Sequence, residues 1–596
     1  MLPPDARAVL LDQLRPPVGF TLDAAVATTF SLDLAAALIP PLAFAFFELR
    51  GTPDPVAALE AVRSCTDRVD LFCQAGQIAV PAQASDLMTF LEPMVHEVRR
   101  PRPGHLFHPK IWLLRYASPD TGDLFRLLCL TRNLTRDHAW DAVLRIDGAV
   151  SGGPKAGNRP LADLLRALPG LATIPLPVDR SERLLGLAED VRRIEWELPE
   201  AVNEIYFHLY GIGAPPKADF SGYRHLVVSP FLNEAGLATV ARDSPSAAIV
   251  SRVKDLDKLT PETSARFTQY VISGIAGLEE PVADDGLEAV QVLSGLHAKI
   301  YVVERNRLAH VFIGSANATQ AAFGGNVEVL VEMVGGATKM GVDTFLGEDA
   351  PFRAMLEPYA GTGGAEPDPL DEARRALDDL LRDIAAVPHV VTVEPAVGQE
   401  TGFTLTVTTE RPLSIPDDYR VTVELLTRLG DAHAQTGGVV PALTFSDVPL
   451  PDITPFLVLR ARSPEGLQAG TVIRGRLVND PEGRFDEVLA RQVDTTEKFL
   501  RFLALLLGLG NPFVLAALGG TGDGSTSSTG LGPRPGIFEL VVRALAARPE
   551  AIADLDRLVQ RLRATDTGQR VLPEGFDDLW ATVAEAQHRL QGKVAG

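Results

Sequence analysis

Residues 295–319, GLHAKIYVVERNRLAHVFIGSANAT, carry a His-x-Lys pair and, after two apolar runs, a Ser-x-Asn triplet. Both runs consist mostly of branched apolar residues, which is typical of buried strands. Residues i and i+2 of a strand project from the same face, so the pattern places the imidazole of His297 beside the ammonium of Lys299. Asn317, at the end of the second run, can add an amide donor. The stretch therefore predicts a strand–turn–strand unit with a polar cluster at one end.

The same plan occurs earlier in the chain, at residues 105–135, HLFHPKIWLLRYASPDTGDLFRLLCLTRNLT. His108 and Lys110 again stand two apart, and a Thr-x-Asn triplet that ends at Asn133 follows the second apolar run. An acidic residue that leads into a further strand follows each copy, namely Asp141 and Glu328. Upstream, the apolar strand and loop at 67–79 are expected to correspond to those at 224–236. The pattern indicates an internal repeat.

The repeat predicts an α/β protein in which two similar halves form one pseudo-twofold unit. A Gly- and Pro-rich linker and a charged amphipathic helix follow the halves. Short alternating strands between Pro and Gly turns then predict a small β-sandwich-like domain. A helical region with a Gly- and Ser-rich loop, expected to be disordered, ends the sequence. In chain order the predicted units are the halves at 1–175 and 176–355, the linker and helix at 356–388, the β-sandwich-like domain at 389–480, and the helical region at 490–596 with its loop at 519–536.

Composition limits the classes of function and location. The 596 residues carry a net charge of −21, which argues against a surface-wide basic coat for nucleic acid but leaves room for a local basic groove. The three cysteines have no metal-type spacing and favour a reducing compartment, so a cytoplasmic location is expected. Apolar runs at 34–47 and 499–518 are interrupted by Pro or Gly, whereas a bilayer span needs about twenty unbroken apolar residues. No stable membrane insertion is expected.

Two facing sets of His, Lys and Asn could together hold a phosphate diester. Two lysines and two asparagines would bind the non-bridging oxygens and the developing negative charge. One histidine could attack phosphorus while the other protonates the leaving oxygen. A carboxylate behind each histidine, Asp141 or Glu328, would fix its tautomer and stabilise its charged form. Because fixed charges do this work, the site would need no metal ion or other cofactor.

The double pattern resembles that of the phospholipase D superfamily, in which His-x-Lys followed by Ser/Thr-x-Asn occurs twice per site. The resemblance implies a metal-independent phosphodiesterase that works through a phosphohistidine, with His108 as nucleophile and His297 as general acid. The residues themselves do not distinguish these two roles. Phospholipases of the superfamily usually carry an Asp five residues after the lysine, where this chain has Arg115 and Glu304. This departure favours the nuclease and tyrosyl-DNA phosphodiesterase branches.

The preferred substrate is therefore nucleic acid, DNA or RNA, and family habit suggests a role in antiviral defence or repair beside a helicase partner. Two alternatives stay open, namely a phospholipase D-type lipid hydrolase or transferase, and a non-catalytic phosphate-binding scaffold. An inactive copy would have lost His, Lys or Asn in one half, and neither half shows such a loss. The predicted catalytic residues are His108, Lys110, Asn133, Asp141, His297, Lys299, Asn317 and Glu328, with phosphate contacts from Lys110, Asn133, Lys299, Ser315 and Asn317 and no metal ligands.

Overall fold

The structure is a computed structural model, and the protein is a mixed α/β chain with several sheets. The residues described are 10–45, 61–273 without 137–138, 214–216 and 243, 295–396 without 367, 402–496, and single positions or short runs from 498 to 583. Their strands form four sheets, of seven, eight, four and six strands. The predicted loop at 519–536 and most of the predicted helical region lie outside the described residues.

The strands span most of the described chain. In chain order they are β1 (Thr21–Thr29), β2 (Leu32–Asp33), β3 (Val69–Gln74), β4 (Ile78–Ala79), β5 (Val95–Val98), β6 (Ile111–Ala117), β7 (Leu124–Leu130), β8 (Val143–Val150), β9 (Ile194–Trp196), β10 (Val202–Tyr210), β11 (Arg224–Val228), β12 (Ala247–Val250), β13 (Thr268–Ile272), β14 (Ile300–Arg305), β15 (Leu308–Gly314), β16 (Glu328–Gly336), β17 (Leu356–Pro358), β18 (His389–Pro395), β19 (Gly402–Thr409), β20 (Ser414–Leu425), β21 (His433–Val439), β22 (Leu443–Pro449), β23 (Phe456–Arg462), β24 (Gln468–Arg474) and β25 (Arg476–Val478).

The helices are mostly short. In chain order they are α1 (Leu10–Leu14), α2 (Leu34–Ala37), α3 (Ile39–Ala45), α4 (Arg159–Leu171), α5 (Val178–Val191), α6 (Glu234–Val240), α7 (Val253–Asp257), α8 (Pro261–Ser264), α9 (Gln320–Gly324), α10 (Ala337–Met340), α11 (Val342–Leu346), α12 (Pro351–Ala354), α13 (Asp371–Ala385) and α14 (Arg484–Gln492), with 3-10 helices at Asp86–Leu91, Ala156–Asn158 and Leu450–Asp452. Within the part of the chain that the structure describes, none of these is long and apolar enough to cross a bilayer.

The first two sheets share one strand order. The seven-stranded sheet runs β5-β3-β1-β6-β7-β8-β9, and the eight-stranded sheet contains the series β13-β12-β11-β14-β15-β16-β10. In the first sheet β1 pairs in parallel with β3 and antiparallel to β6. In the second sheet β11 pairs in the same way with β12 and β14. The two hairpins that carry the sequence motifs, β6–β7 and β14–β15, therefore hold equivalent places.

This order corrects one expected correspondence. The strand within 67–79 is β3, whose counterpart is β12, whereas the strand within 224–236 is β11, the counterpart of β1. The expectation was therefore wrong by one strand. An apolar strand that runs into a loop carries no mark of its place in the sheet, so the sequence pattern alone could not separate the two positions.

A shared core packs the first two sheets against each other. Alternate residues of β6 and β7 face opposite sides, as strand geometry requires. One side of this hairpin, with Ile111 and Leu113, belongs to a cluster of buried residues that also contains Ile313 and Val329 of the second sheet. The other side, with Trp112, belongs to a separate core. Burial on both faces explains why these strands are nearly continuous apolar runs.

The strands from β18 onwards form the last two sheets, whose facing residues share a third core. The six-stranded sheet of this pair also includes β2 and β4 from the first part of the chain. Buried polar contacts reinforce the junction, because the Arg484 guanidinium donates to the Glu92 carboxylate at 2.7 Å. The amide of Arg474 likewise donates to the carboxylate of Glu97 at 2.7 Å. The β region is thus joined to the first part of the chain by a shared six-stranded sheet, one buried ion pair and a buried backbone hydrogen bond.

Candidate functional site

The first His-x-Lys pair lies just before β6 and is held there by the second half of the chain. Phe107 forms a parallel bridge with Val327, and the amide of His108 donates to the Val327 carbonyl at 2.9 Å. The side chains of the pair lie together as the i, i+2 spacing predicts. The ammonium of Lys110 is 2.8 Å from Nε2 of His108. This half of the site therefore presents an imidazole and an ammonium at one point.

The second pair lies just before β14 and is held by the first half. Leu296 forms a parallel bridge with Trp140, and the amide of His297 donates to the Trp140 carbonyl at 2.6 Å. The Lys299 ammonium donates to the carbonyl of His297 at 2.7 Å and to that of Thr131 at 3.1 Å. The backbone of the opposite half thus positions each histidine.

The two acids have different partners. Glu328, which follows the second motif, accepts a hydrogen bond from Nδ1 of His108 at 2.9 Å. The Ser315 hydroxyl and the Asn326 amide donate to the same buried carboxylate. Asp141 instead lies 3.6 Å from the guanidinium of Arg132. Within the described residues, Asp141 makes no hydrogen bond to either histidine, so the carboxylate support crosses from the second half to the first only.

Three buried polar atoms of the site have no hydrogen-bond partner within the described residues. They are Nδ1 of His297 and the side-chain oxygens of Asn133 and Asn317. The amide group of Asn133 donates to the Ser31 hydroxyl at 2.9 Å. Buried polar groups are normally hydrogen-bonded, and an unpaired one costs about 1–3 kcal/mol. These atoms indicate a site whose polar groups are completed by a bound ligand or by water.

The two hydroxyl residues of the triplets brace the strands. The Ser315 hydroxyl accepts a hydrogen bond from the amide of Val329 at 3.0 Å, and the Thr131 hydroxyl accepts one from the amide of Ala142 at 2.7 Å. Both side chains are fully buried. Ser315 also donates to Glu328, so its contacts support the carboxylate that holds His108. A contact from Ser315 to phosphate stays a prediction.

Several residues of the site have no signal in the sequence motifs. The guanidinium of Arg252, just after β12, donates twice to the Leu296 carbonyl, at 3.0 and 2.8 Å, and stands 4.6 Å over the Phe231 ring. In the first half the register puts Gln74 at the same place, where its side-chain oxygen accepts from the amide of Phe107 at 2.9 Å. Only the strand pairing reveals this match. Arg252 adds a positive charge to the half-site of His297 that the other half-site lacks.

The electrostatics of the site favour a bound anion. Burial, followed by repulsion from Lys110 and Lys299, lowers the pKa of His108 to about 4 against the opposing effect of Glu328. Burial lowers the pKa of His297 to about 3, with further repulsion from Lys299 and Arg252. Burial likewise lowers the pKa of Lys110 to about 7 and that of Lys299 well below its usual range. A negative charge among these groups would oppose every one of these shifts.

Within the described residues, Glu328 is the one acid that hydrogen-bonds to His108 or His297. Burial alone would raise its pKa, but His108, Lys110 and Ser315 outweigh burial and lower it. The carboxylate therefore stays ionised, and it keeps the proton of His108 on Nδ1 and the lone pair on Nε2. Within the described residues, no group of three or more His, Cys, Asp or Glu side chains is arranged to hold a metal ion.

No family model matches the sequence, and no curated protein matches it. Three solved structures are similar to it at 12% identity. A yeast tyrosyl-DNA phosphodiesterase variant has a TM-score of 0.31 over 54% of this chain and 84% of that chain. A polyphosphate kinase from Porphyromonas gingivalis has a TM-score of 0.33 over 63% of this chain and 50% of that chain. This chain therefore spans half the length of that kinase. A phosphatidylserine synthase from Haemophilus influenzae has a TM-score of 0.31 over 63% of this chain and 92% of that chain.

Proposed function

We propose that this protein is a metal-independent phosphodiesterase that hydrolyses DNA or RNA through a phosphohistidine. The observation that carries the proposal is the meeting of His108, Lys110, His297 and Lys299 across the two halves, with the Glu328 carboxylate on His108. In this proposal the two halves act as one pseudo-twofold unit. The buried cations bind the phosphate, and the two histidines carry out nucleophilic and acid–base steps.

In the first step the Nε2 lone pair of His108 attacks phosphorus. A bond from nitrogen to phosphorus forms, and the bond from phosphorus to the leaving oxygen breaks. Nδ1 keeps its proton, and Glu328 stabilises the positive charge that develops on the ring. The Lys110 and Lys299 ammonium groups stabilise the negative charge on the non-bridging oxygens. The leaving oxygen takes a proton from His297.

In the second step a water molecule replaces the histidine. His297 accepts a proton from the water as its oxygen attacks phosphorus, and the bond to Nε2 of His108 breaks. His297 on its own is a neutral ring at neutral pH, because burial and neighbouring cations lower its pKa to about 3. The negative charge of a bound diester opposes this repulsion and raises the pKa, so the acid form becomes available when substrate binds.

The remaining parts of the proposal concern the setting of this activity. We infer a cytoplasmic role in antiviral defence or repair, with the region after residue 490 docking a helicase or another partner. A pull-down from cells that returns neither a helicase nor nucleic acid would count against this setting. It would leave the proposed chemistry untouched.

The chemistry is tested by incubating the purified full chain with end-labelled single-stranded and duplex DNA and RNA in excess EDTA. His108→Ala and His297→Ala serve as test variants, and His433→Ala, in the separate β region, serves as the matched control. We expect cleavage by the wild type and the control, with loss in both test variants. Cleavage that both test variants retain would contradict the proposed site.

Two further assays separate the alternatives. Headgroup release from phospholipid vesicles, together with no cleavage of any nucleic acid, would favour the lipid hydrolase or transferase. Binding of nucleic acid that survives loss of both histidines, without turnover of any diester, would favour the phosphate-binding scaffold. Capture of labelled phosphorus on His108 after an alkaline denaturing quench during DNA turnover would support the covalent intermediate directly, because the nitrogen–phosphorus bond is stable in alkali.

A further inference from the structure

A groove of about 530 Å³ lies beside the catalytic halves, where the first half meets the β region. Its walls come from the loop after β5, the end of α13 and the turn after β19. We call it the arginine groove. Its charged lining residues are Arg99, Arg100, Arg102, Asp383, Glu410 and Arg411.

The two acids that line the arginine groove each have an arginine partner. Arg100 binds both Asp379 and Asp383. Glu410 lies 3.8 Å from the guanidinium of Arg476. The other arginines of the groove, Arg99, Arg102 and Arg411, are therefore not paired with these two acids. This local positive charge contrasts with the net charge of −21 for the chain.

Three exposed arginines of the groove form no ion pair within the described part of the chain. Arg99 donates one hydrogen bond to the carbonyl of Ala172. Arg102 and Arg411 form no side-chain hydrogen bond to any described residue. A guanidinium presents a planar fork of donors that matches phosphate geometry, and several in one groove suit a chain of phosphates better than a single one.

The arginine groove is connected to the catalytic site by a short segment. Arg102 precedes His108 by six residues, so their Cα atoms are at most about 22 Å apart. The segment is tied to the second half, because the amide of Leu106 donates to the Asn326 side chain at 2.9 Å. A Cβ on Gly325 would lie 2.4 Å from the His105 ring, so this ring packs directly on the glycine. The groove and the nucleophile therefore hold fixed positions.

We propose that the arginine groove binds the sugar–phosphate backbone of a nucleic-acid strand on one side of the phosphate that is cut. The proposal rests on the proposed function and deepens it. A strand has further phosphates to place near Arg102 and Arg411, whereas a phospholipid diester has none. Single-strand binding sites cover about 4–16 nucleotides, which is long enough to span from His108 to the groove.

The test measures binding separately from catalysis. Fluorescence anisotropy follows labelled single-stranded DNA and RNA of 4 to 20 nucleotides bound to the full chain with His108→Ala, so that no cleavage interferes. The test variant adds Arg102→Ala and Arg411→Ala. The matched control instead adds Arg242→Ala and Arg266→Ala. These are two exposed arginines of the second half whose only side-chain hydrogen bonds within the described residues go to backbone carbonyls. Thermal midpoints verify that every variant is folded.

We expect the test variant to bind long oligonucleotides at least about tenfold more weakly than the His108→Ala parent. The slope of log affinity against log salt should fall by about 0.7 for each phosphate contact removed. The control should bind like the parent, and the shortest oligonucleotides should show no difference. Equal affinities in test and control variants, or no salt-sensitive binding by the parent, would overturn the proposal.

Two further experiments distinguish nucleic-acid binding in the groove from damage to the catalytic site and from binding of another polyanion. With His108 restored, hydrolysis of bis(p-nitrophenyl) phosphate should be unchanged by the arginine substitutions, because this diester is too small to reach the groove. Loss of that activity would show damage to the site and overturn the groove assignment.

Inorganic polyphosphate offers the same repeated anion, and tighter groove-dependent binding of it than of any oligonucleotide would also overturn the proposal. If wild type hydrolyses no diester at all, the proposed function fails, while the binding arm still decides the groove.

Discussion

His108 and His297 each precede a lysine by two residues, and each follows a residue that bridges to the opposite half. Their surroundings differ. The Nδ1 atom of His108 is held by Glu328, whereas that of His297 is buried without a partner within the described residues. Arg252 stands beside His297. A neighbouring carboxylate stabilises the positive charge that an imidazole ring acquires when it attacks phosphorus. Cations instead favour a ring that gives up its proton readily. Equivalent backbone positions thus hold two histidines in different surroundings, which suit the proposed nucleophile and the proposed general acid.

The largest expected effect is the loss of turnover on substitution of either histidine. Substrates with different leaving groups distinguish the proposed nucleophile from the proposed general acid. We expect His108→Ala to abolish turnover of both an oligonucleotide and a p-nitrophenyl diester, because both reactions need the nucleophile. His297→Ala should slow oligonucleotide cleavage by about 10²–10⁴-fold, the usual range for a general acid. It should slow formation of the covalent intermediate from the p-nitrophenyl diester far less, since nitrophenolate leaves without a proton. Single-turnover rates give both numbers, and the reverse pattern would exchange the roles.

The two acids offer the next comparison. Glu328→Gln removes the charge that holds the His108 tautomer, so we expect kcat to fall by about 10²–10³-fold. Asp141→Asn should cost at most about tenfold, because Asp141 pairs with Arg132 and bonds to neither histidine within the described residues. Steady-state kinetics on one oligonucleotide measure both variants. Equal losses would mean that Asp141 reaches His297 once substrate is bound.

Arg252 permits a sharper test, because Gln74 occupies its place in the first half. Arg252→Gln makes the half-site of His297 more like that of His108. We expect the pKa of His297 to rise from about 3 towards 6.5, since a neighbouring cation is removed. NMR titration of the His297 ring measures the shift, and Gln74→Ala is the matched control, expected to leave that titration unchanged.

The smallest expected effect is on stability. Both histidines have a folded pKa, about 4 and about 3, below their ordinary 6.5. Below pH 6.5 the unfolded chain therefore binds protons that the folded chain does not, and the free energy of unfolding falls as pH falls through this window. Each histidine contributes at most about 1.4 kcal/mol per pH unit. Denaturation midpoints at pH 7 and pH 4.5 should differ less in the variant with His108→Asn and His297→Asn. Inorganic phosphate should reduce the difference in wild type, and an equal pH dependence in both proteins would contradict the lowered pKa values.

The sequence predicts the parts of this site that depend on local spacing. The i, i+2 rule brings Lys110 to His108 because a near-extended backbone puts both side chains on one face. The apolar runs after these pairs predict strands, and the structure has β6 and β14 there. Local patterns also carry information on element type, so a mixed α/β chain with several sheets could be predicted.

The remaining features depend on contacts between distant parts of the chain. The pairing of Glu328 with His108 joins residues 220 positions apart, and nothing near either residue announces it. Arg252 is recognised as the counterpart of Gln74 only through the pairing of their strands. The continuation of the six-stranded sheet by β2 and β4 is hidden for the same reason, because two-residue strands leave no periodic pattern.

His108 lies in the first half of the repeat, whereas Glu328, which holds it, lies in the second half. This arrangement has a consequence for synthesis of the protein on the ribosome. Chains are synthesised at about 5–20 residues per second, and Glu328 follows His108 by 220 residues, so His108 leaves the ribosome roughly 11–44 s before its carboxylate partner. For most of this interval the nascent chain also lacks His297 and Lys299, and until its last residues it lacks the backbone at Val327 that positions His108. A fragment that ends between the halves has no complete site. If the protein cuts RNA as proposed, its own messenger is protected until most of the catalytic unit has been translated.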